Sequence, residues 1–121
     1  MDQVLALRPF VPAKDFALSK RFYQALGFRL TWEEPPVAML KMGSFSFILQ
    51  DFHEPALAEN FMVQLLVRDV ESFWDELDIN ALMIDFAVKP PQAPAIQPWG
   101  MKVGFITDPS GVLWHVAETP F

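Results

Sequence analysis

Few side chains in this 121-residue chain are of types that do chemistry, and their spacing narrows what that chemistry is. His115 lies in an apolar stretch where Leu113, His115 and Ala117 alternate onto one face of a strand. An imidazole there is a structural hydrogen-bonding group, a polar contact for a ligand, or a general base. No partner carboxylate or nucleophile stands at a supporting spacing, which argues against the last role. The other histidine, His53, sits at the edge of a polar linking stretch. Cysteine is absent, which excludes disulfides, thiolate metal sites and a cysteine nucleophile. There is no Ser-His-Asp order, phosphate-cradling glycine loop or paired-carboxylate spacing, and the five glycines are scattered singly.

The remaining candidates are groups that hold a molecule rather than transform it. Trp99 follows a Pro-rich stretch and precedes Gly100, where backbone can approach closely. Such an aromatic suits stacking on a planar ligand, worth about 0.5–1.5 kcal/mol beyond buried area, or it plugs a core or an interface. Trp32, beside Glu33 and Glu34, is a second candidate, or an ordinary strand aromatic. Met62, Gln64 and Leu66 share one face of the strand over residues 62–67. A Met-, Phe- and Trp-lined cleft with Gln64, Gln97 and His115 as polar points suits a small, partly apolar organic ligand.

The elements that must position these groups occur twice. An apolar strand over residues 4–11 is restricted by Pro9 and Pro12. A helix then starts at the N-cap Asp15, carries Leu18, Phe22 and Leu26 at helical spacing, and closes at Gly27-Phe28. Strands follow near 29–33, 37–42 and 46–52. The second copy begins with the strand over 62–67 and the N-cap Asp69. Its helix carries Val70, Phe73, Trp74 and Leu77 at i, i+3, i+4 and i+7, and Asn80 is placed at the left-handed closing position. Strands are expected over 82–88, 101–107 and 112–118, with a restrained polyproline-like loop over 89–98. Asp108-Pro109-Ser110-Gly111 fits a type I turn. The order is βαβββ twice: residues 3–53 form the first module, 54–60 a connection, and 61–121 the second, within a single domain of residues 1–121. A unit this short cannot bury its own sheet face, so the copies share a core or curl around a cleft.

Composition bounds the rest. Just over half of the residues are hydrophobic, with twelve Phe and four Trp, enough to build a real core. No apolar run approaches the ~18 residues that cross a bilayer, and no signal-peptide pattern opens the chain, so a soluble, cytoplasmic protein is expected. A net charge of −6 argues against nucleic acid as a partner. The acidity serves solubility or an acidic mouth for a cationic ligand, with Asp51, Glu54, Glu59, Glu33 and Glu34 as its candidates.

The paired βαβββ order, the string Phe22-Tyr23…Leu26-Gly27-Phe28 and the Asp108-Pro109-Ser110-Gly111 hairpin resemble the vicinal oxygen chelate superfamily of glyoxalases, dioxygenases and bleomycin resistance proteins. Gln97-Pro98-Trp99-Gly100, followed by that turn and Trp114-His115-Val116-Ala117-Glu118, is most similar to the bleomycin resistance branch. The resemblance implies an α+β fold, tandem βαβββ modules forming a curled mixed-sheet cleft, in a homodimer with exchanged modules. It also implies ligand positions for a divalent metal, which fall here on Arg8, on Phe47 or Ile48, on Met62 and on His115. Only His115 suits such an ion, and three donors are needed, so neither a metal nor another cofactor is expected. Relatives that bind bleomycin tend to carry Trp on the first strand of the second module, and some carry Arg after Trp-Gly; Met101 stands there instead. The expected function is metal-independent sequestration of a partly aromatic or cationic small molecule, without catalysis. The expected contacts are Trp32, Phe47, Met62, Gln64, Gln97, Trp99, Gly100, Met101 and His115. The alternative is a metal-dependent lyase, isomerase or dioxygenase with an atypical site.

Overall fold

The computed structural model describes residues 3–120. Strand β1 (Phe10–Ala13) leads to helix α1 (Phe16–Leu26), and then β2 (Arg29–Glu34), β3 (Val37–Met42) and β4 (Phe45–Asp51) complete the first module. A short helix α2 (Pro55–Ala58) lies in the connection. The second module is β5 (Met62–Val67), α3 (Val70–Asp75), α4 (Ile79–Phe86), β6 (Gln92–Ile96), β7 (Lys102–Thr107) and β8 (Leu113–Glu118). Each module folds into a four-stranded mixed sheet with the same order, β1-β4-β3-β2 and β5-β8-β7-β6, in which only the first-listed pair is parallel.

Helix α1 forms for the reasons its sequence states. The Asp15 carboxylate accepts from Leu18 N at 3.0 Å, capping one orphan donor. At the other end Gly27 takes φ 115°, and Phe28 N donates to Tyr23 O at 2.9 Å, so the chain reverses with an apolar residue folded back. Ser19, Phe22, Tyr23 and Leu26 form the buried stripe. Phe22, Tyr23, Phe28 and Phe47 of the first module meet Trp114 of the second in one aromatic cluster, with centroids 4.9–5.9 Å apart. The helix-side faces of both sheets therefore share one core.

Four expectations are corrected. The strand expected over residues 4–11 begins at Phe10, and residues 3–9 precede it without strand pairing. Pro9 has no N–H to give, so pairing with β4 starts only beyond it, although its carbonyl accepts from Ile48 N. Asn80 does not close α3; it lies inside α4, and α3 ends at Glu76 in right-handed conformation. The strand expected over 82–88 is the helix α4, capped by Asp78, whose carboxylate accepts from Ala81 N at 3.0 Å. Ile79, Leu82 and Phe86 are spaced i, i+3, i+7, and the Phe86 ring meets Phe22 edge-on at 5.5 Å, so tertiary contact with α1 selects the helical period. Finally, the loop expected over 89–98 contains β6, an edge strand. The edge position and a register shift between Gln92 and Ala95 accommodate Pro94.

Candidate functional site

Alternation along each strand sorts side chains into a helix-side face and an open face. Leu40, Phe47, Leu49, Trp114 and Val116 are buried on the helix side. Their neighbours Met39, Ile48 and His115 therefore belong to the open faces. Because the helix-side faces meet in the shared core, the open faces look away from it.

Register joins the open-face residues into rows. In the first sheet Phe10 pairs with Ile48, Ile48 with Met39 and Met39 with Trp32, an apolar row crossing all four strands. Phe10 and Trp32 at its ends are 52% and 45% exposed, more than solubility alone favours. In the second sheet Gln64 pairs with His115, His115 with Phe105 and Phe105 with Gln92. This row alternates amide, imidazole, phenyl and amide. The Phe105 ring stands edge-on to His115 at 4.9 Å, and His115 Nε2 is buried with no hydrogen-bond partner among the described residues. A buried polar atom left unpaired costs about 1–3 kcal/mol, which a ligand group can recover. Beside this row a cavity of about 250 Å³ is lined by Lys89, Pro90, Gln92, Phe105, Thr107 and Leu113.

The nine expected contacts divide between these places. Trp32 lies on the first open face, and Met62, Gln64 and His115 lie together on the second, where Met62 pairs with Leu113. Phe47 faces the other way and is buried against Tyr23, Phe28 and Trp114; Ile48 takes the open side of β4. Phe47 still touches a cavity of about 160 Å³, whose lining also includes Pro9, Phe45, Val63 and Gln64. Gln97, Trp99, Gly100 and Met101 form the tip of the β6–β7 hairpin. Gln97 Nε2 donates to Ala95 O and Val103 O, so its amide is engaged in its own hairpin. Gly100 takes φ 95°, and Trp99 is 56% exposed. In the second-sheet row two residues were not among the expected contacts, Phe105 and Gln92. Phe105 follows the period-2 pattern of its strand, but Gln92 was hidden by the prolines around it.

The expected acidic mouth is not assembled. Glu33 pairs with Lys20 at 2.7 Å on the helix side, and Glu54 caps α2. Asp51 and Glu59 line separate cavities, each shared with Lys14. Glu34, opposite Val37 at the end of β2, is the one member at the margin of the open face.

The residues also fail the test for a metal. Arg8 Nε donates to Ser46 Oγ at 2.8 Å, placing a guanidinium where the first donor would stand, while Met62 and Ile48 supply no hard ligand. Among the described residues no group of three His, Asp or Glu side chains gathers that could hold an ion. One imidazole beside one amide is too few donors, and no step through a metal follows from this chain.

The carboxylate of Asp108 does other work. It is buried, and its oxygens accept from Ser110 N, Val112 N and the Tyr23 hydroxyl, which in turn accepts from Trp114 Nε1 at 2.9 Å. Burial raises the Asp108 carboxyl above its ordinary value, against the lowering effect of these hydrogen bonds, and burial also raises the Tyr23 phenol. The network ties α1 to the β7–β8 turn and is structural.

Comparison with known proteins agrees with this architecture. The family model "Glyoxalase/Bleomycin resistance protein/Dioxygenase superfamily" matches residues 2–116. A bleomycin resistance protein of Klebsiella pneumoniae is 28% identical over 114 residues, covering 91% of this chain and 89% of that protein. A bleomycin-binding protein from bleomycin-producing Streptomyces verticillus, solved with copper(II)-bleomycin, superposes with a TM-score of 0.80 at 19% identity, over 98% of this chain and 99% of that one. A lactoylglutathione lyase of Agrobacterium tumefaciens gives 0.66 at 17% identity, over 96% and 95%. Both likenesses are of fold. With its duplicated sheets and a family match over nearly its whole length, the chain belongs to the glyoxalase/bleomycin resistance protein/dioxygenase superfamily.

Proposed function

We propose that this protein binds a small, partly aromatic organic molecule stoichiometrically and without a metal, as a sequestering protein of the bleomycin-resistance type. The observation that carries the reading is the pair of open faces. One presents the apolar row Phe10–Ile48–Met39–Trp32, the other the polar row Gln64–His115–Phe105–Gln92, and neither gathers a catalytic dyad or a metal shell. The likeness to a bleomycin resistance protein supports the same class of ligand. A cationic preference draws little support from the walls, because Glu33 and Glu54 are committed, Asp51 and Glu59 lie beside Lys14, and only Glu34 reaches the margin of an open face. The net charge of −6 acts only on approach, and weakens with salt.

A cleft walled by both faces needs a second copy, since within one chain they look away from each other. Residues 3–9 supply a reason for two copies to meet: Leu5 and Leu7 are 96% and 93% exposed beside the unpaired edge of β1. We place the first-module face of one protomer opposite the second-module face of its partner in a homodimer. Titration calorimetry with bleomycin tests the function. Saturable binding of one or two molecules per dimer is expected, unchanged after EDTA treatment; absence of binding, or its loss with chelator, overturns the reading.

A further inference from the structure

The open face of the first sheet carries a second row, one turn of the strand pleat away from the apolar one. Arg29 of β2 stands directly opposite Lys41 of β3, and Lys41 directly opposite Ser46 of β4. Ser46 Oγ accepts from Arg8 Nε at 2.8 Å, which brings a third cationic side chain to the end of the row. Leu30, Leu40 and Met42 pack into the core from the opposite side of these strands, so Arg29 and Lys41 project from the open face. The ion pairs among the described residues are Lys20–Glu33 and Lys102–Glu71, so none of the three cations has a carboxylate partner.

This arrangement is costly unless something occupies it. Like charges directly opposite on neighbouring strands destabilise a sheet. Three of the nine Lys and Arg residues nevertheless share one row, in a chain whose formal charge is −6. The chain has fifteen Asp and Glu residues, and among the described residues none of them forms an ion pair with the row. Arg8 also stands where the fold family's first metal donor falls, so the charge of the wall is inverted relative to a metal cleft.

We infer that the Arg8–Ser46–Lys41–Arg29 row binds an oxyanion, a phosphate or carboxylate group. Strands stand about 4.8 Å apart, so Lys41 and Arg29 can converge on one tetrahedral or planar oxyanion, with the Ser46 hydroxyl as a further donor. Guanidinium groups present forked donors that match phosphate and carboxylate oxygens, and the lysine adds a point charge. Anion binding by the row stands on its own geometry and does not rest on the function proposed above.

Inorganic phosphate and acetate are the probes, titrated at constant ionic strength against chloride while the melting temperature and backbone amide shifts are followed. Phosphate is expected to raise the melting temperature saturably and to shift residues of β2, β3 and β4. A comparable response to acetate marks a carboxylate site, and a response to phosphate alone marks a phosphate site. Lys41→Gln and Arg29→Gln should each weaken binding at least five-fold, while Lys14→Gln, remote from the row, leaves it unchanged. Without phosphate and at low salt, Lys41→Gln should melt no lower than wild type, because it removes a like-charge contact, and any gain should vanish in high salt. No phosphate or acetate effect beyond that of chloride, an equal effect in all variants, or a Lys41→Gln protein that melts lower at low salt overturns the row as an anion site. Bleomycin calorimetry on the same proteins separates the two readings: bleomycin bound alongside no oxyanion response leaves the function standing and removes the row.

Discussion

Tyr23 stands between a buried carboxylate and a buried indole, and its hydroxyl serves both. Tyr23→Phe leaves Asp108 and Trp114 Nε1 each short of a partner while changing little volume. A loss of about 1–3 kcal/mol is expected, measured by urea unfolding. Asp108 gives the pH dependence. Its folded carboxyl is raised by burial, so the folded state holds the proton more tightly than the unfolded chain. This contribution is complete below the ordinary carboxylate range and is lost as pH rises through the raised folded value. Asp108→Asn should abolish that slope in a series of unfolding curves across mildly acid pH. The turn role of Asp108 was legible in Asp-Pro-Ser-Gly, because turn chemistry is local. Its bond to Tyr23 was not, since 85 residues separate the two and nothing in either neighbourhood records the meeting.

At the scale of elements, legibility follows how far each one depends on its neighbours. Helix α1 was readable end to end, since Asp15 and Gly27 mark its limits and its apolar period is strong. Helix α4 was misread because Leu82, Met83 and Ile84 form a short apolar run that suits either period; contact of Phe86 with Phe22 decides it. Asp78→Ala removes the cap of α4 and should cost about 0.5–2 kcal/mol in thermal or chemical unfolding, a loss that a strand at this place would not produce. The packing of α3 has an equally local test. A Cβ built on Gly104 would lie 2.6 Å from the Trp74 ring, so this glycine is where the helix rests on β7. Gly104→Ala should destabilise by about 1–3 kcal/mol, and Trp74 fluorescence should report the displaced ring.

Considered as a whole molecule, the chain exposes several large apolar side chains. Leu5, Leu7, Phe45 and Met62 are more than 60% exposed, and β1 and β5 each end a sheet. Sedimentation should show a dimer, and a chain beginning at Pro9 should dissociate at concentrations where the full chain does not. The melting temperature of the full chain should rise with protein concentration, as mass action requires. The duplicated plan was readable from the order of elements. Which residues reach the open faces was only half readable: period-2 strands announced Gln64 and His115, whereas the basic row depends on cross-strand register, which no single segment encodes.

The two-sided sheets have a consequence for how this protein can change over time. The main core, from the aromatic cluster to the Tyr23–Asp108 bond, lies on the helix-side faces. Everything proposed to meet a ligand lies one residue along the same strands, pointing the other way. Substitutions at Trp32, Lys41, Gln64 or Gln92 can therefore change the open faces with little debt to stability, so the chemistry that a scaffold of this kind presents can drift without its first having to relearn how to fold.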